Sequence, residues 1–196
     1  LKETYEAQGQ LSLTKYAIYV DSLRHSSLQS SVSTLLQTAK KKGWDTLARE
    51  QKQAYQEFWE HSDIVLLQDT KEKEENLQNL QNLQNLQMAT RFAIYQLYQS
   101  VGKDQHANIS AKGLSGEGYE GHYFWDTEIY VYPYYLVTQP ATAKNLILFR
   151  YQQLSLAKEE AKNLGAHRGA KFPWRTISGI ECSAYFPAGQ AQYHIN

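Results

Sequence analysis

Residues Gly116 to Pro133 read GEGYEGHYFWDTEIYVYP, a glycine-rich bend that runs into a crowd of aromatic rings with Asp126 and Glu128 set among them. Tyr119, Tyr123, Phe124, Trp125, Tyr130 and Tyr132, with Tyr134 and Tyr135 just beyond, bring flat amphipathic rings close to a few carboxylates. That combination suits a ligand covered in hydroxyls, such as a sugar. From Asp126 to Val137 the pattern predicts a helix stopped before Pro140. Pro140 can itself open a long helix over Ala141 to Leu164, because the N–H that proline lacks is not needed in a first turn. Gly165 then closes it. The unusual residues therefore sit in loops between helices.

The rest of the chain extends this picture. Leu11 to Val20 alternates and is rich in β-branched and aromatic residues, which predicts a strand left from a preceding sheet. Leu28, Val32, Leu35, Leu36 and Ala39 recur at helical spacing, Gly43 ends that helix, and Asp45 is placed to cap a second one through His61, the two forming an antiparallel hairpin. Residues 63–67, DIVLL, are too short for periodicity to separate a strand from a helix start. Leu77 to Gln87 repeats Leu-Gln-Asn, whose three-residue period drifts around a helix, so it reads as a low-complexity loop or helix extension without chemistry of its own. Met88 to Ser100 returns to core-helix spacing, Gly102 to Ser115 is loop, and Gly169 to Gly189 is a long ordered loop dense in Gly and Pro. About six helices with almost no strand make the class mainly α, a helical barrel or bundle with its site at the loop end.

Composition excludes several partners. Lys plus Arg equals Asp plus Glu, 20 against 20 in 196 residues, so no basic field exists to hold a polyanion, and no nucleic-acid partner is expected. No run approaches the roughly 20 apolar residues of a membrane span. The single Cys182 supports no disulfide framework, which agrees with a reducing, cytoplasmic setting. The six histidines show no paired ligand spacing, so no metal is expected. The chain begins at Leu1 without a methionine and stops at Asn196 without a terminating signal, and reads as a piece of something longer.

Among the motifs, Gly116-Glu117-Gly118 lacks the Lys-Ser/Thr and the preceding strand of a phosphate loop. Asn108-Ile109-Ser110 matches a glycosylation acceptor, of consequence only in a secreted protein. Trp125 and Asp126 carry two readings. They are a core tryptophan and an N-capping aspartate, or an indole face for the apolar side of a pyranose beside a carboxylate that accepts two hydroxyls. Glu117 and Glu128 either contribute to such a site or simply pair with a lysine or face solvent. Trp174 and Arg175 either line an acceptor sugar site or pin their loop to the core.

The wording GLSGEGYEGHYFWDTEIYVYPYYLVTQPATAKNLILFRYQQLSLAKEEAKNLG, followed by FPWRTISGIECSAYFPAGQAQYHIN, resembles the glycoside phosphorylases of glycoside hydrolase family 65, most densely from Arg91 to Asn196. The resemblance implies the central part of a larger enzyme: residues 1–27 as the end of an N-terminal β-sandwich and its connection, 28–62 as linker helices, and 63–196 as the first part of an (α/α)6 barrel. It implies that Trp125 and Asp126 hold the glucosyl unit, and that Arg175 to Phe186, Glu181 among them, lie in the loop shaping the acceptor site, next to the candidate Trp174. The Pro-Trp-Arg-Thr-Ile form is similar to the kojibiose phosphorylase branch, with Ile180 departing from the acidic residue usual before Glu181. The implied chemistry is inverting phosphorolysis of an α-glucoside by inorganic phosphate, with no cofactor. It needs one glutamic acid as general acid, expected beyond Asn196, so no catalytic residue is assigned here. A homodimer of the full-length protein is also implied. Trehalose-type phosphorylases, a hydrolase of the same family and a non-catalytic sugar-binding module are the competing readings.

Overall fold

The computed structural model describes residue 9, residues 12–67 and residues 77–183. They fall into two units, Leu1–Trp59 and Glu60–Asn196.

In the first unit, residues 12–20 form no strand. A strand is one half of a hydrogen-bonded ladder, and the described residues offer these no second half; Leu11 lies outside them. At Asp21 the carboxylate accepts the Leu23 and Arg24 amides at 2.9 and 3.0 Å and closes a turn. Helix α1 follows, Leu28–Ser62. It is broken where expected, at Gly43, whose φ of 74° and ψ of 168° are conformations a β-carbon disfavours. The break lets Lys42 Nζ reach Glu50 at 2.8 Å, eight residues on.

The second unit holds the candidate site. Residues 63–67 join no helix or strand, yet they are pinned to helix α2, Leu77–Ser100. Arg91 Nε donates to Asp63 Oδ1 at 2.9 Å, while Gln87 donates to Ile64 O and accepts from the Leu66 amide, both at 2.8 Å. The Leu-Gln-Asn repeat is thus an extension of α2, stitched by Gln78–Asn82 and Gln81–Asn85 side-chain bonds one helical turn apart.

The helix expected from Asp126 has an unusual first turn. Thr127–Val131 is π-helical and runs into α3, Tyr132–Thr138, with the Tyr132 amide donating to Thr127 O. Pro133 supplies a cause: it has no N–H for Ile129 O, and its ring crowds the preceding turn, so the chain widens there. Pro140 opens α4, Pro140–Gln152. The single long helix expected to reach Leu164 is instead two, because Gln153, at φ −91° and ψ 0°, breaks it before α5, Leu154–Asn163. Gly165, at φ 86°, then ends α5 with Ala166 donating to Ala161 O. Val101, Ile109, Tyr135, Ala143 and Leu146 form the core around the α3–α4 corner, with Tyr135 fully buried.

After α5 the chain returns through a loop whose Arg175–Thr176 forms strand β2, antiparallel to β1, Tyr123–Phe124. The register pairs Tyr123 with Thr176 and Phe124 with Arg175. One further step of that register sets Trp125 opposite Trp174, which is how two loops some 50 residues apart come to share one site.

Candidate functional site

The two tryptophans face each other with ring centroids 5.8 Å apart and planes tilted by 41°. Around them Tyr119, Phe124, Tyr130, Ala111, Lys112 and Asp126 complete a cleft of about 530 Å³. The aromatic packing is continuous: Phe124 meets Tyr119 edge-on at 5.1 Å and Trp174 at 6.2 Å, and Trp125 meets Tyr130 at 6.1 Å. Rings so arranged present flat faces to a ligand.

Asp126 stands at the start of the π-helical turn, where a capping role was one of its two readings. Its backbone is already helical, at φ −51° and ψ −34°, and its side chain makes no capping hydrogen bond. The carboxylate is exposed and lines the cleft. Two residues on, Glu128 has the opposite fate. Arg150 grips it through Nε at 2.7 Å and Nη2 at 3.0 Å, and the Asn108 amide donates to it at 3.0 Å. Asn108 is itself 3% exposed, which removes it as a glycosylation acceptor. Glu128 is therefore a tie between the π turn, α4 and the 108–110 loop.

The turn entering the cleft is strained. Tyr119 and Glu120 have φ of 53° and 52°, between Gly118 at 103° and Gly121 at 75°. A left-handed non-glycine residue costs on the order of 1 kcal/mol, and such strain gathers where a structure must present a group in one pose. Here it turns the Tyr119 ring into the cleft and the Tyr119 carbonyl back toward His122 and Arg175.

Of the other sequence-derived candidates, Trp174 lies in the cleft wall, whereas Arg175 and Glu181 lie behind it. Arg175 Nη2 donates to Glu120 Oε2 at 2.7 Å and lies 3.4 Å from Tyr119 O, so the guanidinium holds the strained turn. Glu181 is enclosed: Lys171 Nζ and the Trp174 amide reach Oε2 at 2.7 Å each, and the Arg175 and Ser183 amides reach Oε1 at 3.2 and 3.1 Å. Burial alone would raise the Glu181 pKa, but the Lys171 ammonium, the Ser183 hydroxyl and the two backbone amides outweigh it and hold it below the usual carboxylate value. Lys171 was not visible as a functional residue in the sequence, since nothing in its spacing marks a buried lysine. Nothing in the sequence marks Lys112 as a cleft residue either, whereas Tyr130 belongs to the aromatic run around Trp125.

Among the described residues no three of His, Cys, Asp and Glu gather as a metal cluster, and no helix is long and apolar enough to cross a membrane.

Residues 91–196 match the glycosyl hydrolase family 65 central catalytic domain. The chain belongs to glycosyl hydrolase family 65. The matched segment contains the whole cleft. Over 195 residues the chain is 46% identical to an alpha,alpha-trehalose phosphorylase of Geobacillus stearothermophilus, covering 98% of this chain and 24% of that protein. It is 35% identical to a kojibiose phosphorylase of Halothermothrix orenii over 78% of this chain and 18% of that one. A solved structure described as a kojibiose phosphorylase from the human microbiome superposes with a TM-score of 0.64 at 36% identity, covering 78% of this chain and 18% of its own. The chain thus spans about a quarter or less of the length of these family 65 relatives. With that likeness, the mainly helical fold is part of an (α/α) barrel of the family 65 phosphorylase kind.

Proposed function

We propose that this chain supplies the glucosyl-holding half of the active site of a disaccharide phosphorylase. The observation that carries the reading is Asp126, a carboxylate left uncapped and exposed in an aromatic cleft between Trp125 and Trp174. A pyranose stacked on an indole offers its apolar C–H face to the ring and its edge hydroxyls to the carboxylate, and charge-assisted bonds of this kind are the strong ones. The cleft volume is in the range of small-ligand sites.

In the proposed reaction an oxygen of inorganic phosphate attacks the anomeric carbon, the glycosidic C–O bond breaks, and a carboxylic acid protonates the departing oxygen. The products are β-glucose 1-phosphate and glucose. Phosphate replaces the base-activated water of an inverting hydrolase, so one general acid suffices. We place that acid, and the phosphate contacts, outside residues 1–196, and expect these residues alone to be inactive. Kojibiose is the disaccharide implied by the resemblance of the late loop. The higher identity and near-complete coverage against the trehalose enzyme favour α,α-trehalose as a second reading. A cytoplasmic homodimer needing no cofactor beyond phosphate completes the proposal.

The test is to give the full-length protein phosphate with trehalose, kojibiose or maltose in turn and to measure glucose 1-phosphate. Release from one of them supports the reading and names the linkage. Free glucose produced equally without phosphate indicates a hydrolase, and no turnover of any α-glucoside indicates a binding module.

A further inference from the structure

We infer that Glu181 is a positioning residue, which fixes the Trp174 wall of the cleft through the loop backbone and does not itself touch the sugar. This rests on the cleft being the sugar site proposed above. The carboxylate takes bonds from Lys171 Nζ, the Trp174, Arg175 and Ser183 amides and the Ser183 hydroxyl. A carboxylate has about four lone-pair directions, so none is left to face a ligand. The Lys171 and Glu181 side chains are each 4% exposed, and a charge so buried persists only when it is paired and saturated with hydrogen bonds.

The donors are not scattered. Trp174 supplies an indole to the cleft, and Arg175 occupies β2 and grips the strained turn that carries Tyr119. On the other side Lys171 is anchored by its amide to Ala157 O of α5 at 2.8 Å, and the Cys182 amide returns to Arg175 O at 2.8 Å. The sequence of connections therefore runs from α5 through Lys171 and Glu181 to Trp174. Only an ionised acid fits the centre, because all of its neighbours donate; an amide would turn its own N–H groups against one of them.

The full-length protein tests this with Glu181→Gln, Lys171→Met and the double variant, measuring KM for disaccharide and phosphate separately. The expected result is a rise of about tenfold in the disaccharide KM for each single variant, a phosphate KM changed by less than about twofold, and a double variant no worse than either single. A rise for Glu181→Gln with none for Lys171→Met would mean direct sugar contact and overturn the inference. So would a lower Tm with unchanged kinetics in both, which is a merely structural role. Should the variants not fold, hydrogen exchange on the wild-type protein decides: the Trp174, Arg175 and Ser183 amides must exchange slowly, and fast exchange refutes the clamp. A wild-type protein that forms no glucose 1-phosphate defeats the proposed function alone, since the exchange rates still report on the clamp.

Discussion

The two walls of the cleft are held by opposite means. Trp125 and Asp126 stand at the entry to the π-helical turn, where Trp125 O accepts the Glu128 and Ile129 amides and the Asp126 side chain caps nothing, so among the described residues Asp126 has no structural duty. Trp174 sits in a loop without helix or extended sheet, and there a carboxylate, Glu181, does for the backbone what a helix does elsewhere. A free acid in a cleft is thus informative only where the local fold holds without it. The same contrast appears within one turn, between Asp126 and Glu128.

The largest effect that would sharpen this comparison is at Asp126. On the proposed reading, Asp126→Asn in the full-length protein exchanges two charge-assisted hydroxyl bonds for neutral ones, a loss of about 1.5 to 3 kcal/mol together, so kcat/KM for the disaccharide is expected to fall by about tenfold to a hundredfold. Urea unfolding should be unchanged, because no cap or ion pair with the described residues is lost. A fall in the unfolding midpoint comparable to that of a core variant would show that Asp126 belongs to the scaffold after all.

Glu128→Ala should do the reverse. Arg150, only 13% exposed, loses its carboxylate while Glu128 was itself 32% exposed, so the cost to stability is expected near 2 kcal/mol, less than for a fully buried pair. Denaturant unfolding measures it, and kcat/KM per folded molecule should move far less than for Asp126→Asn. Equal losses of activity from both variants would erase the distinction between the two carboxylates.

How much of this was legible in the sequence follows from what each signal depends on. Gly43, Pro140 and Gly165 act locally, through φ or a missing N–H, and each marks a boundary the fold respects. The break at Gln153 was not legible: the apolar pattern runs unbroken through 141–164, and the break lies where Gly179 of the distant loop packs against Gln153 and Leu156. Residues 12–20 carry a strand pattern but no partner among the described residues, and pairing is a long-range property. Within the site, the aromatic crowd around Trp125 was visible as composition. That Trp174 would face it depends on a two-residue ladder between segments too far apart for any periodicity to report.

A smaller effect probes the loop wall directly. Gly179 has φ of 101°, and an added β-carbon would come within 3.0 Å of Gln153 Cγ and Leu156 Cδ1. Gly179→Ala is expected to cost about 1 to 2 kcal/mol through the strained backbone, since the flexible side-chain ends can shift. Because Gly179 also receives Thr176 Oγ1 as acceptor for its amide at 2.7 Å, the disturbance should reach β2 and raise the disaccharide KM modestly. The matching helix-wall change, Ile129→Ala at an exposed position, should leave KM unaltered. A KM raised equally by both would mean that the two walls do not differ in how they are held.

The smallest effect is with pH. The folded Glu181 pKa lies below its ordinary 4.5, so its contribution to stability is complete above that value and is lost as pH falls through the lower, folded one. Acid titration of the full-length protein, followed by tryptophan emission, should therefore show the Trp174 environment holding at pH 4.5 and changing only below it, with that step absent in Glu181→Gln. A change already complete above pH 4.5 would mean that the loop is released before Glu181 is protonated, and that something other than this carboxylate keeps Trp174 against Trp125.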